Sequence, residues 1–251
     1  MWKSIIILAL LAHPTWAGCP AMTEQEVQAY QREFNNGYSK TVLFNCAKRL
    51  YHMSDEGVMW SESTKELLLA VINRFLEVDN VLKGGGYILW TDTPPVPADF
   101  KEFAAMLLRT VAWQKDVRYA PFISKYLGSG LLAVNSLTMI GEPAFEFALN
   151  RLDRKYDGKS SQGGAIKVFK NWFKEQQPFL QGGPKQHLLK QNLLRISKES
   201  HDSYKGASIE ILQYIKDRDV IDHLTMISQN ASFSKVIRTR ARDAVEILQG
   251  R

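Results

Sequence analysis

A chain of 251 residues with 45% hydrophobic and 23% charged residues, a formal charge of +6 and two cysteines is long enough for one large or two modest domains. That composition excludes a disordered or low-complexity chain and a disulfide-stapled miniprotein. The charge is uneven: residues 18–150 carry 12 Lys and Arg against 15 Asp and Glu, a net of −3, whereas 151–251 carry 19 against 11, a net of +8.

The N-terminus has the three-part layout of a secretory signal. Lys3 precedes an unbroken apolar run, 5–12, which is followed by His13-Pro14-Thr15-Trp16-Ala17-Gly18-Cys19. Small residues at Thr15 and Ala17 place a cut after Ala17, so 1–17 is the expected signal peptide and the mature chain is expected outside the cytoplasm, in the periplasm. The apolar run is too short to span a bilayer, which takes about 20 residues, and no later run is longer; no transmembrane segment is expected. Two fates stand open for Cys19. Trp16-Ala17-Gly18-Cys19 resembles a bacterial lipobox, with Trp16 where that pattern has an aliphatic residue, which implies a lipidated, membrane-anchored Cys19. Alternatively, two cysteines in an exported chain form one disulfide, Cys19 to Cys46, which would stabilise the fold by roughly 3–4 kcal/mol.

From residue 18 onward helix signals dominate. Thr23-Glu24-Gln25-Glu26 has capping-box spacing before a helical hairpin over 24–35 and 38–52, turned at Asn35-Asn36-Gly37. Asn36-Gly37-Tyr38-Ser39-Lys40 is faintly similar to a tetratricopeptide turn. Ser63-Thr64-Lys65-Glu66 repeats the capping box before a helix over 65–76, whose Leu67, Leu68, Val71, Ile72 and Phe75 share one face. Residues 18–82 thus form an N-terminal helical region. The interval 83–98, with Gly84-Gly85-Gly86 and Pro94-Pro95-Val96-Pro97, cannot continue a helix; it reads as an irregular connector with a strand candidate at Tyr87-Ile88-Leu89-Trp90. Asp99-Phe100-Lys101-Glu102 starts the next helix.

Residues 99–251 show recurrence. Gly164, Gly206 and Arg240 are each followed by Ala, with apolar residues at similar offsets, and Gly130 lies another 34 residues upstream. Each of the three anchored helices follows another amphipathic one, at 143–152, 186–196 and 219–227. Paired helices at such a period predict an all-α fold, an α-solenoid in which no pair buries its apolar face alone. The last pair, Asp217-Arg218-Asp219-Val220-Ile221-Asp222-His223-Leu224 and Val236-Ile237-Arg238-Thr239-Arg240-Ala241-Arg242-Asp243-Ala244-Val245-Glu246-Ile247-Leu248, resembles a HEAT repeat. The match is good over 217–248 and fair over 184–216. That resemblance implies a right-handed superhelix of antiparallel helix pairs that holds a partner, usually a protein, and implies no catalytic residues.

Chemistry-bearing patterns are sparse. His52, His187, His201 and His223 stand apart from one another and from the cysteines, so no metal-ligand spacing exists and no cofactor is expected. No nucleophile elbow or phosphate loop occurs. Glu62-Ser63 and Glu199-Ser200 resemble the Glu-Ser pair of lytic transglycosylases, which makes an envelope-polymer-active enzyme with Glu62 as its acid the alternative to a binding protein. A glycan or small-molecule groove at Trp60, Tyr87 and Trp90 is a third reading; otherwise these aromatics seal a junction between helical layers, with the Trp N–H bonded locally.

The expected function is a non-catalytic, periplasmic or envelope-associated binding or scaffolding module. Lys235, Arg238, Arg240 and Arg242 are the densest basic cluster; on a helix Arg238 and Arg242 share a face and Arg240 points elsewhere. For an exported chain the fitting partners are an acidic envelope protein, an anionic envelope polymer or a lipid surface, and not nucleic acid.

Overall fold

A computed structural model describes residues 21–37, 40–53, 60–83, 98–112, 114–153 and 159–250. The signal segment, Cys19, Tyr87, Trp90 and most of the 83–98 connector lie outside these. Among the described residues all regular structure is helical. The α-helices are α1 (Glu24–Asn35), α2 (Lys40–His52), α3 (Glu62–Lys83), α4 (Ala98–Ala112), α5 (Ala120–Lys125), α6 (Leu131–Ile140), α7 (Phe145–Asn150), α8 (Lys159–Lys174), α9 (Gly183–Glu199), α10 (Asp202–Leu212), α11 (Arg218–Gln229) and α12 (Lys235–Leu248). They group into two compact units: α1 to α4 with α3 counted to Val78, and the described residues from Lys115 onward together with 79–83, the end of α3.

In the first unit the expected capping box is present at Thr23. Its hydroxyl accepts from the Glu26 N–H at 3.2 Å while the Glu26 carboxylate accepts from the Thr23 N–H at 2.8 Å. At α3 the cap is Ser61, two residues before the expected one, and its Oγ accepts from the Thr64 N–H at 3.3 Å. Ser63 instead donates to Glu24 on α1 at 2.8 Å, and that tertiary partner releases it from the capping role. The predicted apolar face of α3, Leu67 to Phe75, is buried throughout. Phe103 of α4 meets the Phe75 ring edge-on at 5.1 Å and Phe44 of α2 at 5.9 Å. This packing puts α4 with the N-terminal helices. Asp99 sits inside the first turn of α4, which begins one residue earlier.

Cys46 is a free thiol, fully buried among α-helical core residues. Burial pushes it up to about 12 from an ordinary 9.0, because the thiolate loses its water. At pH 8 the folded chain is expected to react with iodoacetamide about a thousandfold more slowly than the urea-unfolded chain, in proportion to thiolate content. Above pH 9 the unfolded thiol ionises and the folded one does not, so stability should fall as pH rises. Urea titrations at pH 8 and pH 10 on the protein and its Cys46→Ala variant measure this.

The second unit is two rows of helices. In the first row the contacts ascend together in sequence, so the helices run in the same direction. The Asn171 amide and the Trp172 indole of α8 donate to Thr138 of α6 at 3.3 and 3.0 Å, while Gly164 passes beneath Leu127, ahead of α6. Between α8 and α10, Gly163 underlies Tyr204, Lys170 pairs with Glu210 at 2.6 Å, and Phe173 stacks on Tyr214 at 5.6 Å. Between α10 and α12, Lys205 lies over the Phe233 ring, and Arg240 crosses Gly206 to reach Glu210 at 3.0 Å. In the second row Lys190 and Ser197 of α9 meet Asp217 and His223 at α11, again in ascending order. The hairpins α9–α10 and α11–α12 join the rows.

The core is aromatic at α8. Trp172 is fully buried, with Phe169 and Phe179 edge-on to it at 5.3 and 5.4 Å. The helices approach closely where glycine stands. A methyl group on Gly164 would collide with the Leu127 carbonyl, a backbone group that cannot swing away, whereas on Gly206 it would lie 2.6 Å from the flexible tip of Arg240. Gly164→Ala should therefore lower stability by about 1–3 kcal/mol. Gly206→Ala should stay within about 1 kcal/mol of the parent, since alanine's better helix propensity offsets the displaced guanidinium. Urea unfolding of the two variants side by side separates these outcomes.

Candidate interaction surface

The expected basic cluster lies on α12, whose start is fixed by Ser234: its hydroxyl accepts from the Ile237 N–H at 3.5 Å. Ile237, Ala241 and Ala244 bury one stripe of the helix. At 3.6 residues per turn, Arg238 and Arg242 stand about 160–200° around the axis from Arg240. The structure thus divides the four cations. Arg240 leans toward α10 and is held there by Glu210, whose other oxygen takes Lys170. Lys235, Arg238 and Arg242 occupy the opposite flank. Arg242 has only Asp243, its chain neighbour, at 3.9 Å, and Arg238 is half-buried with its Nε enclosed and lacking an acceptor. No carboxylate of another described helix pairs with any of the three.

Elsewhere in this unit cations between helices find carboxylates. Lys190, only 7% exposed, bonds Asp217 and lies 3.5 Å from Asp219. Asp217 is also the N-cap of α11, accepting from the Asp219 N–H at 2.9 Å. The Lys190 hydrogen bond, with that N–H, holds the Asp217 carboxyl below the usual carboxylate range, and the same bond raises Lys190. Lys185 reaches Glu142 at 2.7 Å and sits over the Phe145 and Phe179 rings. Sequence reading missed Lys190, because a lysine on an amphipathic helix ordinarily marks the wet face. The available signal was the Asp217-Arg218-Asp219 start of the next helix, which supplies both its acceptors.

Glu62 is exposed in the first turn of α3, 3.8 Å from Lys65, and its neighbour Ser63 is taken by Glu24. Ser200 is buried and donates to Gln162 at 3.3 Å, while Glu199 ends α9 on the surface. Trp60 is buried at 6% exposure, and its indole N–H has no acceptor rather than the expected local bond. Among the described residues no group of His, Cys, Asp and Glu is placed to hold a metal ion, and no described helix is long and apolar enough to cross a membrane.

His223 joins α11 to α9 through a 2.7 Å contact between its Nε2 and the Ser197 Oγ. Ser197 spends its proton on the Leu194 carbonyl at 2.8 Å, so the imidazole donates from Nε2. Burial, helped by Lys198, pushes the imidazole down to about 4 from an ordinary 6.5. Protonation therefore favours the unfolded chain: the stabilisation is full above pH 6.5 and is lost as pH falls toward 4. His223→Gln, which keeps a donor toward Ser197, should flatten the loss of melting temperature between pH 6.5 and pH 4.5 relative to the parent.

No protein-family model matches the chain, and comparisons with curated proteins and with solved structures yield no significant match.

Proposed function

We propose that this chain is a non-catalytic binding module, exported to the cell envelope, that holds an acidic partner on the helices of its C-terminal unit. The single observation that carries the reading is the unshared cation flank of α12. Lys235, Arg238 and Arg242 have no carboxylate from another described helix, whereas Arg240, Lys170, Lys185 and Lys190 all do. An uncompensated flank of one sign raises the local concentration of anionic partners and steers their approach.

The rows of like-directed helices in the second unit support the α-solenoid, HEAT-like part of the proposal, because such stacks expose long surfaces suited to holding other chains. Tethering through lipid at Cys19 belongs to the same proposal, and the free Cys46 thiol speaks against the alternative Cys19–Cys46 bond. The buried Cys46 thiol suits the lipid form, in which it needs no partner. In this reading α1 to α4 carry the tether end of the chain and the second unit carries the binding surface.

In native envelopes, chemical crosslinking of the tagged chain should recover a protein that dissociates as salt rises from 50 to 300 mM. Recovery should fall at least tenfold for the double variant Arg238→Glu, Arg242→Glu, as expected for charge pairs screened within about 10 Å at 0.1 M salt. Unchanged recovery by a folded double variant sinks the reading.

A further inference from the structure

We infer that the turn after α1 is a spontaneous modification site, at which Asn36 loses its side-chain amide to the backbone nitrogen of Gly37 and becomes isoaspartate or aspartate.

The sequence holds one Asn-Gly pair, Asn36-Gly37. The reaction joins the nitrogen that follows an asparagine to that asparagine's Cγ. It needs a free N–H, a free side chain and room for the backbone to rotate. The turn supplies all three. Among the described residues the Gly37 N–H has no acceptor and the Asn36 side chain has no hydrogen-bond partner. Gly37 stands at φ +92°, and a Cβ built there would meet nothing within 4 Å. Both residues are exposed, and with Ala29, Arg32 and Glu33 they line an open hollow of about 540 Å³, so water reaches the reacting atoms.

The other described asparagines each lack a condition. The Asn36 N–H is held by the Arg32 carbonyl at 3.0 Å, which withholds it from Asn35. The N–H after Asn150 is likewise held by the Ala148 carbonyl at 3.1 Å. Asn45, Asn73, Asn80, Asn135, Asn171 and Asn192 lie inside helices, where the next N–H belongs to the ladder. Asn230 accepts from the Ser232 N–H at 2.9 Å through its Oδ1, and the alanine after it carries a Cβ that crowds ring closure.

The atoms balance without an oxidant, a metal or an enzyme. The Gly37 nitrogen gives up its proton and bonds to Asn36 Cγ, while the bond from Cγ to the side-chain nitrogen breaks and that nitrogen leaves as ammonia. One water then opens the five-membered ring. Opening at Cγ yields aspartate in an ordinary main chain. Opening at the main-chain carbonyl leaves Gly37 bonded through Cγ, which is isoaspartate and lengthens the backbone by one carbon. That carbon enters at the C-cap of α1, whose N–H closes the last helical turn onto Arg32. Phe34, buried two residues earlier, anchors the same end of α1, so the altered turn loosens the first unit.

The test ages the full chain at pH 8 and follows it by peptide mapping and by methyl transfer from a protein-isoaspartate methyltransferase. The peptide carrying Asn36 should gain isoaspartate at least tenfold faster than any other asparagine-containing peptide of the folded chain. Its rate should also lie within tenfold of its own rate in urea. A slower lead, or a folded rate suppressed more than tenfold, overturns the inference. Asn36→Gln closes only through a larger ring and should remove most of the methyl acceptance of the aged chain. Unchanged acceptance by a folded Asn36→Gln chain assigns the reaction elsewhere and overturns it too. After full conversion the parent should melt lower than before ageing, and Asn36→Gln aged alongside should not. Equal melting of the fresh and converted parent overturns the loosening of α1.

Discussion

The close passage of α8 under its neighbours is the constraint from which the second unit is built. α8 packs on α6 and α10, and its own face carries Phe169, Trp172 and the buried Gln162. A helix can serve as that hub only if its backbone can lie against other backbone, and Gly164 beneath the Leu127 carbonyl permits this. With that distance set, Trp172 comes within 3.0 Å of the Thr138 carbonyl and satisfies its own N–H. Burying the indole then contributes apolar stabilisation without leaving an orphaned donor. The Gln162 side chain uses the same proximity: its amide donates to the Leu152 carbonyl at 2.8 Å and its oxygen accepts from Ser200. A glycine, an aromatic ring and two polar side chains are thereby one arrangement.

Once helices sit this close, the groups between them decide register more than they decide stability. Lys170 and Glu210 are each about one-third exposed, and the Arg240 side chain is 45% exposed. Such pairs contribute at most about 1 kcal/mol each. What they supply is direction. Glu210 meets α8 on one side and α12 on the other, so sliding α10 by one turn would break both pairs together. Lys190 differs because it is buried, and its ammonium keeps two acceptors at the start of α11, Asp217 and Asp219. That pair also fixes where α11 begins, since its acceptor is the N-cap residue.

How much of this was legible depends on the range of the deciding contact. Helix periodicity, the Thr23 box and the apolar face of α3 are local, and they read directly. The recurrence anchored on Gly164, Gly206 and Arg240 was also legible, and for the last two it marks an actual contact, the Arg240 guanidinium over Gly206. The division of the α12 cations followed from helix geometry alone. Choices made by distant partners were not legible. Ser61 and Ser63 are equally good caps until Glu24 takes one of them. α4 follows a connector that looks like a domain boundary, yet Phe103 packs against Phe75 and Phe44. Lys190 reads as a surface residue until α11 is laid across it.

The same distinction bears on Arg238. Three cations along one side of α12 serve as a polar face where they are well hydrated. Hydration alone accounts for Lys235 and Arg242, which are exposed. It does not account for a guanidinium Nε enclosed by protein without an acceptor, an arrangement that costs stability and that methionine of similar length would avoid. A fold that elsewhere brings Lys190, Trp172 and Gln162 each to a partner has the means to satisfy such a group. Arg238 stands between the hydrated flank and the buried stripe of α12, on a helix packed against both α10 and α11, so the chain's own helices enclose its Nε while the long side chain lays its stem on apolar surface.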